Sequence, residues 1–147
     1  MTTADARRAL VVTSSTRAAA GVSEDRSGPI VAEGLAALGL AVIGPVVVAD
    51  GEPLLEALRA GIGDDVDLIV TTGGTGHTPT DLTPEITRRV IDRESPGLAE
   101  AVRAYGVAHG VPTAVLSRGI AGIAGTTLIV NLAGSTGAAR DLSLIHI

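Results

Sequence analysis

The sequence contains no cysteine, no lysine, no phenylalanine and no tryptophan, and a single tyrosine, Tyr105. Without cysteine there are no disulfides, no thiolate nucleophile and no thiolate-held metal. Without lysine there is no Schiff base and no Walker-type phosphate loop, and all eleven basic residues are arginines. The near absence of aromatic rings removes the platforms on which single-stranded nucleic acids stack. A net charge of −5 argues against binding a phosphate backbone. No apolar run reaches the roughly 18 residues of a membrane span, and Met1-Thr2-Thr3-Ala4-Asp5 shows no signal-peptide pattern. The expectation is a cytoplasmic protein with neither nucleic acid nor membrane as partner.

The 147 residues suggest one domain, 1–147. A chain of this length buries about two-thirds of its unfolded surface and needs no covalent staples. Residues 9–13 read as a short β-branched strand bounded by Ser14-Ser15. Residues 28–38 read as a helix capped by Ser27, with Pro29 in its first turn and Gly39 as its stop. Residues 41–48 read as extended, with Gly44-Pro45 marking a break or an edge position. A helix over about 52–62 carries the stripe Leu54, Leu55, Leu58 and Ile62. Residues 66–71 form a continuous apolar strand, as expected for burial on both faces. Thr83-Pro84 opens a helix to about 92, and Ser95-Pro96 opens another to about 109. Strands are expected at 111–116 and 126–131, joined by a Gly/Ala-rich linker at 119–125. Alternating strands and helices predict an α/β fold whose sheet is covered on both sides.

The polar residues gather where strands end. Ser14 and Ser15 follow the first strand and Asp50 the second. Gly73-Gly74-Thr75-Gly76 follows the third, Ser117-Arg118-Gly119 the fourth, and Asn131, Gly134 and Ser135 the last. In an open parallel sheet these points share the carboxyl edge, where such folds bind ligands. "TTGGTGHTPTD", residues 71–81, has neither Walker spacing nor a third glycine at dinucleotide-fingerprint spacing. It reads either as a plain tight turn or as a nest of backbone N–H groups around a phosphate. Asp81 suits the cap of the helix opened by Thr83, and Asp50-Gly51 suits a turn. Taken together, the two carboxylates suit Mg²⁺ held against phosphate oxygens. Arg118 suits either a phosphate or an acid at a subunit contact. His77, His109 and His146 share no metal-ligand spacing, and Tyr105 suits packing.

"TTGGTG", "DLTPE", "SRG" and "NLAGS", in that order, together with "EDRSGPIVAEGLAALG" and "GPVVVADGEPLLEALRAGI", resemble the MoaB/Mog family of molybdenum cofactor biosynthesis over residues 9 to about 140. The resemblance implies a three-layer α/β/α sandwich with a mostly parallel central sheet, assembled as a homotrimer. It implies a molybdopterin adenylyltransferase, which transfers AMP from Mg-ATP to the terminal phosphate of molybdopterin and releases pyrophosphate. On that resemblance Asp50 and Asp81 are the catalytic and Mg²⁺-holding residues. Ser14, Thr72, Gly73, Gly74, Thr75, Gly76, Ser117, Asn131, Gly134 and Ser135 are the substrate- and phosphate-binding ones. The sequence departs from the family's usual NLPGSP at Ala133 and Thr136. It also departs at the turn Ser14-Ser15-Thr16-Arg17, and its carboxyl-terminal helix is expected to be short or missing. The alternatives are a non-catalytic molybdopterin- or nucleotide-binding protein of the same fold, or the related domain that occurs within longer molybdenum-insertase and competence/damage-inducible proteins.

Overall fold

A computed structural model describes residues 6–135 and Gly137. The expected truncation of the carboxyl-terminal helix, and the substitution at Thr136, lie outside the described residues. In chain order the elements are β1 (Arg8–Ser14), α1 (Thr16–Ala19), α2 (Ser27–Ala37), β2 (Ala41–Val48), α3 (Glu52–Gly63), β3 (Leu68–Thr72), α4 (Thr83–Arg88), β4 (Arg93–Glu94), α5 (Pro96–Ala108), a 3-10 helix (Pro112–Leu116), β5 (Ala121–Ala124) and β6 (Thr127–Leu132).

The strands form one sheet in the order β2-β1-β3-β6-β5-β4. β2, β1, β3 and β6 are parallel, while β5 runs antiparallel to β6 and β4 antiparallel to β5. Successive residues of a strand point to opposite faces, and β1 supplies both halves of the core this way. Ala9 and Val11 pack with Val31 and Leu35 of α2, and Leu98 and Val102 of α5 cover the same face. Leu10 and Val12 pack with Leu54, Leu55 and Leu58 of α3, beside Ile86 of α4. The result is the expected three-layer α/β/α arrangement around a mostly parallel sheet.

Two sequence expectations fail in the region 111–125. Residues 111–116 are not a strand: Pro112 starts a 3-10 helix, and Val115 and Leu116 stand exposed. A short apolar, β-branched run does not distinguish strand from turn by periodicity alone. The presumed linker instead contains β5, whose Gly/Ala composition carries little β-propensity. Its place is set by pairing, and a Cβ on Gly122 would lie 2.6 Å from the Arg93 carbonyl oxygen of β4. The helix expected to reach residue 92 stops at Arg88, which leaves room for β4.

The cap of α2 also differs from expectation. The Ser27 hydroxyl accepts a hydrogen bond from Thr72 Oγ1 at 2.9 Å. The Gly28 amide is instead satisfied by Asp25 Oδ1 at 3.0 Å, which serves the orphan amide of the first turn as a helix cap does.

Leu58 is fully buried between α3 and the sheet. Leu58→Ala is expected to cost about 2–5 kcal/mol through lost transfer energy and a residual cavity. Chemical denaturation checks this, and a loss well under about 1 kcal/mol would mean that the α3 face is not a closed core.

Candidate active site

Because β1, β2, β3 and β6 are parallel, Ser14, Asp50, the glycine loop after Thr72 and the segment after Leu132 arrive at one sheet edge. Ser117-Arg118-Gly119 reaches the same edge by a different route from the expected one. It precedes β5, and an antiparallel strand begins where its parallel neighbours end. Two cavities of about 500 and 490 Å³ open along this edge. The first is bounded by the glycine loop, Ser117, Gly134 and Ser135, with an apolar wall that includes Val102, Val111 and Leu116. The second is bounded by Ser14, Thr16, Arg17, Asp25 and Asp50. Gly73, Gly74, Asp81 and Gly134 border both cavities, so the glycine loop is the partition between an apolar-walled chamber and a polar one.

The loop is bare chiefly because the protein itself crowds it. Gly73 and Gly74 have φ of +91° and +69°, which side chains rarely tolerate. A Cβ on Gly73 would lie 2.4 Å from the Ser14 carbonyl oxygen, one on Gly74 2.2 Å from Thr83 Oγ1, and one on Gly76 2.7 Å from Asp81 Oδ2. The loop is pinned by Gly73 N–H to the Leu132 carbonyl (3.1 Å), Thr83 N–H to the Gly74 carbonyl (3.1 Å) and Thr83 Oγ1 to the Gly73 carbonyl (2.9 Å). Among the described residues, the amides of Gly74, Thr75 and Gly76 donate to no protein acceptor. Those amides, rather than the glycines themselves, are the donors the loop leaves open to solvent or to an anion.

Asp50 is held from two sides. Its Oδ1 accepts from Ser14 Oγ at 2.9 Å, and its Oδ2 accepts from Thr16 Oγ1 at 2.8 Å and Thr16 N–H at 3.2 Å. Ser14 therefore orients Asp50, and so does Thr16, which sequence reasoning passed over. The turn Ser14-Ser15-Thr16-Arg17 was the available signal.

Asp81 does not cap α4, whose amino terminus makes no side-chain cap bond. Its Oδ2 accepts from Thr78 N–H (3.0 Å) and Thr78 Oγ1 (2.7 Å), closing the turn at the far end of the loop. Oδ1 accepts no hydrogen bond among the described residues.

Two expected contact residues are committed to the framework. Thr72 is fully buried and borders neither cavity, and its hydroxyl donates to Ser27 and to the Ala133 carbonyl. Asn131 borders the apolar-walled cavity, but its side chain is spent on Ile120 N–H, Thr71 Oγ1 and Thr87 Oγ1. Ser117 Oγ accepts the Gly119 amide. The Arg118 side chain is engaged within its own chain: its Nη1 meets Glu85 at 2.5 Å. Arg103, another residue the sequence did not single out, donates to the Gly119 carbonyl at 2.8 Å and the Ser117 carbonyl at 3.3 Å. His77 bonds the Leu116 carbonyl at 2.9 Å. Tyr105 stacks on His109 with ring centroids 3.7 Å apart, as its packing role predicts.

Against this geometry, the profile of a family described as a probable molybdopterin binding domain matches residues 10–147. The chain belongs to this family, among the MoaB and Mog proteins. It is 39% identical to a molybdopterin adenylyltransferase of Helicobacter pylori over 138 residues, covering 89% of this chain and 76% of that one. It is 37% identical to the Escherichia coli molybdopterin adenylyltransferase, covering 84% of this chain and 65% of that one. The molybdopterin biosynthesis Mog protein of Mycobacterium ulcerans superposes with a TM-score of 0.89 at 53% identity, over 95% of this chain and 92% of that one. No helix among the described residues is long and apolar enough to cross a membrane.

Gly74 tests whether the loop holds a ligand. Gly74→Val forces a side chain into the Thr83 hydroxyl at a positive φ, which costs about 1 kcal/mol or more from conformation alone. Calorimetric titration with molybdopterin and with ATP should show affinity falling by more than this stability loss. Unchanged affinity for both would reduce the loop to a plain turn.

Proposed function

We propose that this protein is a molybdopterin adenylyltransferase in molybdenum cofactor biosynthesis, with molybdopterin and ATP as its substrates. The identity to adenylyltransferases over most of the chain supports the reaction. The observation that carries the assignment of the site is that Asp50 and Asp81 border one polar cavity, with the glycine loop between it and an apolar-walled one.

In the reaction, a terminal phosphate oxygen of molybdopterin bonds to the α-phosphorus of ATP. The bond from that phosphorus to the oxygen bridging it to the β-phosphorus breaks, and pyrophosphate leaves with the electron pair. Both partners are anionic, so the protein's work is alignment and charge compensation. The unbonded amides of Gly74, Thr75 and Gly76 point to the phosphates' resting place. The largely apolar wall of the first chamber suits a ring system, while the polar chamber suits phosphate oxygens.

The donor set fits Mg²⁺. Asp81 Oδ1 is unspent, and Asp50 is a carboxylate already oriented by Ser14 and Thr16. No group of three or more His, Cys, Asp or Glu side chains able to hold a metal stands among the described residues. A hard cation held here must therefore complete its shell with water and substrate phosphates, as Mg²⁺ does. When bound, Mg²⁺ offsets the negative charge of the transferring phosphoryl group. In a lysine-free chain, Asp50 and Asp81 would hold that ion while Ser14 and Thr16 keep the Asp50 carboxylate in place.

Asp50→Asn and Asp81→Asn preserve shape and should leave molybdopterin binding intact. Each should lower single-turnover AMP transfer at saturating substrates by a factor on the order of 10² or more, about 2.7 kcal/mol of transition-state stabilisation. The double variant should fall short of the product of the two, since both residues serve one ion. Near-wild-type rates in both single variants would place the metal site elsewhere. Tight molybdopterin binding with no transfer by the unaltered protein would make it a non-catalytic binder.

Assembly as a homotrimer is part of the same reading. Sedimentation at micromolar concentration should give a mass three times the 14.6 kDa of one chain. A single monomeric species would overturn it.

A further inference from the structure

Arg118 makes four contacts, all on one short stretch of chain and the helix that follows it. Its backbone N–H donates to the Thr75 carbonyl at 2.9 Å. Its side chain donates from Nε to the Gly76 carbonyl at 2.7 Å and from Nη2 to the Asp81 carbonyl at 2.7 Å. Nη1 reaches both carboxylate oxygens of Glu85, at 2.5 and 3.2 Å, in the first turn of α4. A guanidinium is a planar fork of fixed donors, so three acceptors bound at once leave it one orientation. Its partners are two carbonyls five residues apart, at the two ends of the turn that carries the Asp81 carboxylate. The Glu85 carboxylate sets the third corner and ties the fork to α4. The ion pair is half-exposed, with side-chain exposures of 32% and 47%, so it contributes little to global stability. Its effect is geometric.

We infer that Arg118, held in orientation by Glu85, is a positioning residue for Asp81: the guanidinium fixes the 76–81 turn and thereby the direction of the Asp81 carboxylate. This rests on the catalytic role proposed for Asp81. With the turn so fixed, Asp81 Oδ2 accepts from Thr78 and the residue borders both cavities. Thr78 N–H and Asp81 N–H, which close the turn through Asp81 Oδ2 and the Thr78 carbonyl, depend on the two ends that the fork joins. Lysine, with a single nitrogen on a flexible stem, cannot reproduce a three-way planar contact.

A double-mutant cycle in the full-length protein tests this. Arg118→Lys in the otherwise unaltered protein should lower single-turnover AMP transfer by about tenfold. In an Asp81→Asn background the same change should cost less than about twofold, because residues acting through one group are not additive. In the substrate-free protein, hydrogen exchange at the Thr78 and Asp81 amides should accelerate while the β3 and β6 amides keep their protection. A tenfold loss in both backgrounds, or unchanged exchange in the turn, would overturn the inference. If Arg118→Lys does not fold, Glu85→Gln leaves the arginine in place and removes only its anionic anchor, and the same cycle is run with it. Should Asp81→Asn alone keep the wild-type rate, the catalytic reading of Asp81 fails first and the inference falls with it. An Arg118 effect that persists undiminished beside a real Asp81 effect sinks the inference alone.

Discussion

Three strands, β1, β3 and β6, run in the same direction in adjacent positions and are buried on both faces. Everything at the site depends on that alignment. Parallel strands cannot be joined by tight hairpins, so each needs a crossover, and those crossovers cover the sheet with helices. The carboxyl end of every parallel strand then falls on one edge, and the chain there is free of the core's demand for large apolar side chains. The small polar residues after β1, β2, β3 and β6 occupy that edge and create the two cavities.

The same alignment imposes a cost that the sequence meets in a specific way. Close to the carboxyl edge, Thr71, Thr72, Thr87 and Asn131 are buried at 5% exposure or less. Buried polar groups need partners, and these find them in one another. Asn131 joins Thr71 of β3 to Thr87 of α4, Thr87 returns to the Thr83 carbonyl, and Thr72 joins Ser27 of α2 to the chain after β6. Among the described residues no buried side-chain nitrogen or oxygen lacks a partner. The network ties both helical layers to the strand ends directly beneath the glycine loop, so the loop rests on a rigid floor.

Charge is organised by the absence of lysine. Arg103 and Arg118 are spent on backbone carbonyls of the site's own loops. They are fasteners here, a use that suits a planar donor fork better than a point charge. The carboxylates of Asp50 and Asp81 are left to border the polar chamber. Asp81 shows how tightly the two roles are joined. Its carboxylate closes the turn through Thr78, and its carbonyl is gripped by Arg118.

The sequence by itself determined the layer architecture, the pairing of apolar faces and the set of strand ends that would meet. Val-Val at 11–12, Leu-Ile-Val at 68–70 and the Leu54, Leu55, Leu58 stripe state their burial by period alone. It determined the family too, because four separate motifs had to fall in one order. The tertiary structure alone decided what each polar residue does. Thr72 and Asn131 hydrogen-bond within the framework, the Asp81 carboxylate closes a turn instead of capping α4, and Arg118 clamps the two ends of that turn. Local pattern specifies that a polar side chain needs a partner. Which partner it finds is settled by the fold: Asn131 meets Thr71 and Thr87 across separations of 60 and 44 residues, brought near by strand order, while Asp81 meets Thr78 only three residues away. The segment 111–125 shows the same limit in the backbone: a β-branched run became a 3-10 helix and a Gly/Ala run became a strand. The only free place in the sheet beside β6 was taken by β5, whose small residues let β4 approach, and hydrogen-bond pairing there outweighed intrinsic propensity.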